Sequence, residues 1–432
     1  MTAFRPHRPQ VIRAAAATAA ALSLSLFLTP AAHASAAAGP SGQGTLPLGD
    51  PGLAETRSSR TLAPGVTLTS IVRGTEPAPP DQINTTTKGP WAVNVLTIDP
   101  RGTDGHLTAT YGPDLARTER TTELVRQSGA LVGVNASFFT FTASRQYPGD
   151  PVGLGLYGGR LLSEPTTEPA ETSFVVDART DRVLMGKLSW SGGVRNKQSG
   201  ATLPLEFLNH PPVVPAGCAT LPDPTACTAP GDVVRFTPEF AAATPSGAGV
   251  EVVLDRRGCV VRTERDRGTE LAAGQTSLQA TGRETATLLE VAGTGCLTVS
   301  SHLTDEDGKR VPVSESLSGV NGRYRLTEGG EIVVPSGSGS FFARNPRTIA
   351  GTTQDGKIVL ATIDGRLTSS VGTTMNETAA VADALGLRDA VNLDGGGSST
   401  LSVRGELVNR PSGGTERLVG DALVFFEAPY RG

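Results

Sequence analysis

The sequence predicts an α+β fold: a mixed central β-sheet with a few flanking helices and an inserted β-rich subdomain. Three observations carry that expectation. Gly (52) and Pro (31) are frequent while aromatic residues make up only 5%, which points to many short strands joined by tight turns. Several segments alternate apolar and polar residues as half-buried strands do. Between them lie short stretches with helix start and stop signals.

The chain opens with Arg5, Arg8 and Arg13, runs apolar from Ala14 to Leu28, and reaches the small-residue site Ala32-His33-Ala34. This is the pattern of a secretory signal peptide, residues 1–34, cleaved near Ala34. The mature protein is therefore expected outside the cell. No later stretch approaches the roughly 20 apolar residues of a membrane-spanning helix. Residues 35–60, rich in Ala, Gly, Ser and Pro, read as a disordered leader.

Residues 61–189 form the first part of the expected catalytic domain. Val66 to Val72 and Trp91 to Asp99 alternate as strands. Thr121 to Ser128 reads as a short helix ended by Gly129, and the apolar run from Ala130 to Asn135 as the buried strand it delivers. Residues 190–320 hold all four cysteines, proline clusters and strand-like pieces such as Glu251 to Leu254 and Thr287 to Val291. They read as the insert. Four cysteines in an exported chain imply two disulfides, most simply Cys218–Cys227 and Cys259–Cys296, with three connectivities open. Their spacing lacks the paired C-x-x-C of a zinc site. Residues 321–432 complete the catalytic domain.

Formal net charge is −4 and Lys and Arg are scattered, so the basic stripe that nucleic acid demands is missing. Nucleic acid is not an expected partner. His106, His210 and His302 stand far apart in sequence, which argues against a zinc hydrolase and against histidine-based phosphodiester cleavage.

Chemistry concentrates in the last third. Thr374-Met375-Asn376-Glu377 has the form of a capping box and opens a helix that stops at Gly386. In the strand that follows, Asn392 and Asp394 share one face while Val391 and Leu393 share the other. Gly395, Gly396 and Gly397 come next, leaving backbone amides open to a ligand, with the Ser398 and Ser399 hydroxyls beside them. On glycine content alone a hairpin turn is an equal reading. The lysine of a Walker loop is missing. Arg347 and Thr348 precede one strand, Asp364 and Arg366 follow it, and Asn409, Glu416 and Arg417 come after the glycines. A guanidinium suits a phosphate because it offers parallel donors and stays charged.

Taken in order, Asn135-Ala136-Ser137-Phe138-Phe139, Pro346-Arg347-Thr348, Asp364-Gly365-Arg366, Glu377, the run Asn392 to Thr400, and Asn409-Arg410-Pro411 resemble the phosphodiester glycosidase family. Its animal member uncovers mannose 6-phosphate by removing an N-acetylglucosamine cap. The resemblance runs from about Ala63 to Phe426, apart from the cysteine-bearing region. The family usually has Asn-Gly-Gly-Phe-Phe at the first motif, and here Ala136 and Ser137 replace the glycines.

The resemblance implies hydrolysis of a carbohydrate phosphodiester at the anomeric carbon, giving a free sugar and a phosphomonoester. Asp394 becomes the principal carboxylate, with Asp364 or Glu377 as its partner. Asn135, Arg347, Thr348, Arg366, Asn392, Gly395, Gly396, Gly397, Ser398, Ser399, Asn409 and Arg417 are then expected around the sugar and its phosphate. Competing structural roles stand beside these: Glu377 as a cap, Asp364 in an Asp-Gly turn, Asn135 closing a turn. The sequence requires no cofactor, although Asp394, Asp364 and substrate oxygens could together hold a divalent cation. Two other function classes are a non-catalytic envelope or polysaccharide-binding protein and a glycoside hydrolase of wall glycan.

Overall fold

The computed structural model describes residues 44–293 and 295–431. The expected signal peptide and the first part of the expected leader lie outside them. From residue 44 the leader reading does not hold. Leu46 and Leu48 are fully buried beside Trp91, the Arg73 guanidinium donates to Leu48 O at 2.6 Å, and Glu55–Ala63 is a strand paired along Val66–Arg73. Composition registers the polar average of this stretch, not the two leucines that plug a distant core.

The fold is mostly β, which corrects the α+β expectation: 41% of the described residues are in strands against 9% in helices, 3-10 turns included. The three α-helices among the described residues, Thr121–Ser128, Glu284–Ala292 and Met375–Ala384, run eight to ten residues each. Tight turns join antiparallel neighbours directly and need no crossover helix. Sheet faces are then covered largely by other sheets.

The main sheet has eight antiparallel strands in the order Glu55–Ala63, Val66–Arg73, Trp91–Ile98, Ile358–Ile363, Arg347–Thr353, Leu387–Asn392, Arg325–Glu328 and Glu331–Ile332. Alternation divides its side chains between two cores. Leu96, Ile98, Ile358, Leu360 and Val391 face Val132, Val134, Leu401, Leu423 and Phe425 of a five-stranded antiparallel sheet. Trp91, Val93, Val359, Ala361 and Ile363 face the other way, against Met375, Ala379 and Ala382 of the helix Met375–Ala384. Burying one such aliphatic side chain stabilises by roughly 1.5–3 kcal/mol. Slipping a strand by one residue would exchange the two faces.

The cysteine-bearing region contains a four-stranded and a five-stranded sheet around a separate core of Val250, Val252, Leu254, Leu278, Leu288 and Val291. Disulfides join Cys218 to Cys227 and Cys259 to Cys296. Thr287 to Val291, expected as strand, lies inside the helix Glu284–Ala292. Thr285, Leu288, Val291 and Ala292 form its buried stripe. A short apolar run does not distinguish helix from strand by periodicity, and the helical spacing emerges only when Thr285 and Ala292 are included.

Candidate active site

The strand Leu387–Asn392 lies between Arg325–Glu328 and Arg347–Thr353, with Ile349 opposite Asn392 and Ala350 opposite Val391. Val391 and Leu393 enter the inter-sheet core. Asn392 and Asp394 therefore point to the opposite face, the one that carries Arg347. Beyond the strand, the Leu393 amide donates to Thr348 O and the Asp394 amide to Ala136 O, both at 2.9 Å. The chain then turns through Gly396–Ser398. A Cβ at Gly395 would stand 2.8 Å from Pro346 O, so glycine permits this close approach.

A cleft of about 230 Å³ opens there, its wall formed by Phe138, Phe341, Arg347, Arg366, Asp394 and Arg417 together with Asn345, Asn392 and the three glycines. Arg347 is held from behind: Nε donates to Thr373 O at 3.2 Å, and Nη2 to Phe341 O and Ala343 O at 2.8 Å. Arg366, with φ of +58°, donates from Nε and Nη2 to Asn345 Oδ1 at 3.1 and 2.6 Å. Arg417 stacks over Phe141 at 4.6 Å. None of the three forms a salt bridge among the described residues. Asp394 is the only carboxylate in the wall.

Burial, with the like charge of Arg366, lowers Arg347 to about 10, which leaves it cationic at neutral pH. Burial raises Asp394 to about 6. The Ser398 hydroxyl, Arg417 and the Gly395 amide, 2.9 Å from Oδ1, pull it down, and the charge of Asp421 pushes it up. Ser398, though close enough to act on Asp394, makes no hydrogen bond of good geometry. Asp421 is fully buried and accepts from Ser137 N at 2.7 Å, Ser137 Oγ at 2.6 Å and Tyr157 Oη at 2.8 Å. Asn392 Oδ1 has no protein partner although it is buried, so it can accept from a ligand hydroxyl.

Other expected residues stand behind the cleft. Asn135 is fully buried and ties three segments together: Oδ1 accepts from Thr348 Oγ1 at 2.8 Å and Thr400 N at 3.0 Å, and Nδ2 donates to Asp394 O at 2.6 Å. Asp364 spends both oxygens on the Asn409 turn, accepting from Asn409 Nδ2 at 2.9 Å and Arg410 N at 3.0 Å, and burial raises it to about 6. Asn409 in turn binds Ser399 O and the Leu401 amide. Glu377 completes the capping box with Thr374 and pairs with Arg344 at 2.9 Å. Neither Asp364 nor Glu377 forms part of the cleft wall. Ser399 is buried beneath the loop.

Phe341, Asn345 and Asp421 belong to the site and were not expected there. Asn345 precedes the Pro-Arg-Thr motif, and that adjacency was the only signal. Phe138 stood within the first motif without an assigned role. Among the described residues no three His, Cys, Asp or Glu side chains converge as a metal-binding set. The Asp364 oxygens are engaged by Asn409 Nδ2 and the Arg410 amide.

Residues 248–426 match the family model described as phosphodiester glycosidase, beginning inside the region expected as an insert. A Bacillus subtilis relative, the SPbeta prophage-derived uncharacterized protein YomE, is 40% identical over 81 residues, which span 19% of this chain and 13% of YomE. The crystal structure of a Burkholderia pseudomallei protein named as exported superposes with a TM-score of 0.73 at 27% identity, covering 89% of this chain and 98% of that one. A hypothetical protein from Synechocystis shares the fold at a TM-score of 0.64 and 20% identity, covering 84% of this chain and 62% of its own. The matched residues 248–426 contain the glycine loop, Asp394 and the three cleft arginines, so it is the part of the chain that builds the cleft that is similar to the phosphodiester glycosidase family.

Proposed function

We propose that the protein hydrolyses a sugar-1-phosphodiester at the anomeric carbon, releasing a free sugar and a phosphomonoester. The charge imbalance of the cleft supports this most strongly: Arg347, Arg366 and Arg417 face one carboxylate, Asp394. Cleavage at an anomeric carbon passes through an oxocarbenium-like state, and the leaving phosphate carries away the negative charge. Guanidiniums already held by Asn345, by backbone carbonyls and by Phe141 can stabilise that charge without reorganising. Asp394, ionised above about pH 6, lies on the same wall to attack or stabilise the anomeric carbon. A phosphate departs without the strong general acid that an alcohol needs. One carboxylate in the wall suits such a reaction.

Release of reducing sugar from a panel of glycosyl-1-phosphodiesters and matched neutral glycosides tests this reading. Turnover of the phosphodiesters, lost in Asp394→Asn, is expected. Preference for the neutral glycosides would make the protein a glycan hydrolase, and binding without turnover a polysaccharide-binding protein. No cofactor enters the proposal, and turnover should survive chelator.

The amino-terminal pattern, the two disulfides and the Burkholderia relative's description support export. No described helix is long and apolar enough to cross a membrane. Amino-terminal sequencing of secreted material should begin just after Ala34.

A further inference from the structure

In the strand Val233–Phe236, Val234 and Phe236 enter the main core, and Val233 enters the core of the cysteine-bearing region. Arg235 shares the face of Val233, so its side chain leaves that second core at its edge. Its Nε is buried with no hydrogen-bond partner. No hydrogen bond or salt bridge leads from its guanidinium to any described residue. The nearby carboxylate, Glu239, is paired with Arg160 at 2.7 Å. A half-buried guanidinium left in this state loses hydration without compensation.

Arg235 also separates two cavities that share it with Gly274 and Thr276. One, of about 530 Å³, reaches Arg160 and His302. The other, of about 470 Å³, reaches Lys197, Arg256 and Arg257. Gly274, at φ +80°, leaves no room for a Cβ beneath Arg256, which lies across it. Neither Arg256 nor Arg257 makes a side-chain salt bridge among the described residues. The two cavities thus adjoin at an unsatisfied guanidinium, and their basic side chains, Arg160, Lys197, Arg235, Arg256 and Arg257, outnumber the acidic ones, Glu239 in the first and Asp255 in the second. None of their residues lines the Asp394 cleft.

We propose that these adjoining cavities are a second binding site, distinct from the Asp394 cleft, that takes an anionic polymer with one oxyanion on Arg235 and flanking repeats along Arg256 and Arg257. The oxyanion is a phosphate of a polyol-phosphate chain or a carboxylate of an acidic polysaccharide, and both present a pair of anionic oxygens to a guanidinium fork. Two adjoining cavities exceed what a single small anion fills, and the basic groups are spread along their length. The site is independent of the hydrolase reading.

Titration calorimetry of the mature protein tests this with four probes: poly(glycerol phosphate), polygalacturonate, inorganic phosphate and neutral dextran. At least one polyanion should bind more tightly than inorganic phosphate, and dextran should not bind. The preferred polyanion identifies the oxyanion. Arg235→Met should weaken that binding about tenfold or more, as loss of a charged hydrogen-bonded contact does. The exposed double variant Arg256→Ser/Arg257→Ser should weaken it several-fold with melting unchanged. Equal binding of dextran, or polyanion affinity unchanged in a natively melting Arg235→Met, would overturn the proposal. If Arg235→Met does not fold, unchanged affinity in the double variant overturns it equally.

Discussion

Arg417 lies directly over the backbone of Gly397, so close that a Cβ there would stand 2.5 Å from its Nη2. The third glycine of the loop is thus a seat for a guanidinium. Gly397 is not in the left-handed region, so alanine is tolerated by its backbone. Gly397→Ala should displace Arg417 and lower kcat/KM on the order of tenfold or more, as weakened charge stabilisation does. Stability should change by less than about 1 kcal/mol. Full activity in this variant would remove Arg417 from the phosphate.

Asp394 has a folded-state pKa near 6, above its ordinary 3.8. Its neutral form is the one the fold favours, so this contribution to stability is complete below about pH 4 and is lost as pH rises through about 6. The gap is worth roughly 3 kcal/mol. Asp394→Asn escapes that loss, and should melt above wild type at pH 8 with the advantage gone by pH 4. Wild-type turnover should rise through about pH 6 as the carboxylate ionises. A variant that melts below wild type at pH 8 would mean that Arg417 outweighs burial.

Asn135, itself fully buried, makes three hydrogen bonds that join the first motif to Thr348, Asp394 and Thr400. Asn135→Ala leaves the Thr400 amide and the Asp394 carbonyl unpaired and should cost about 2–4 kcal/mol in denaturant unfolding. A stable variant with only a raised KM would point to sugar contact instead.

Glu377→Gln keeps a side-chain acceptor for the Thr374 amide and gives up the ion pair with Arg344. Turnover should stay near wild type, with a stability loss of about 1 kcal/mol or less. A collapse of kcat would restore Glu377 as the partner carboxylate.

These contrasts show what the sequence could carry. The shared face of Asn392 and Asp394 was legible because a strand has period two, and the Thr374–Glu377 cap because it is written within four residues. The same cap gave Glu377 a complete structural role. Asp364 could not be placed: its partners, Asn409 and Arg410, lie 45 and 46 positions away, and no local pattern announces such a pairing. Asp421 was missed for the same reason, since Ser137 and Tyr157 are both distant in sequence. The proportion of sheet was underestimated because glycine and proline report turns and not what covers a sheet's face.

Hydrolysis of a glycosyl-1-phosphodiester in oxygen-18 water tests the central claim most directly. Attack at the anomeric carbon, with phosphate leaving toward Arg347, Arg366 and Arg417, places the label in the released sugar. Label in the phosphomonoester would mean that water attacks phosphorus, and that these arginines and Asp394 serve a phosphodiesterase.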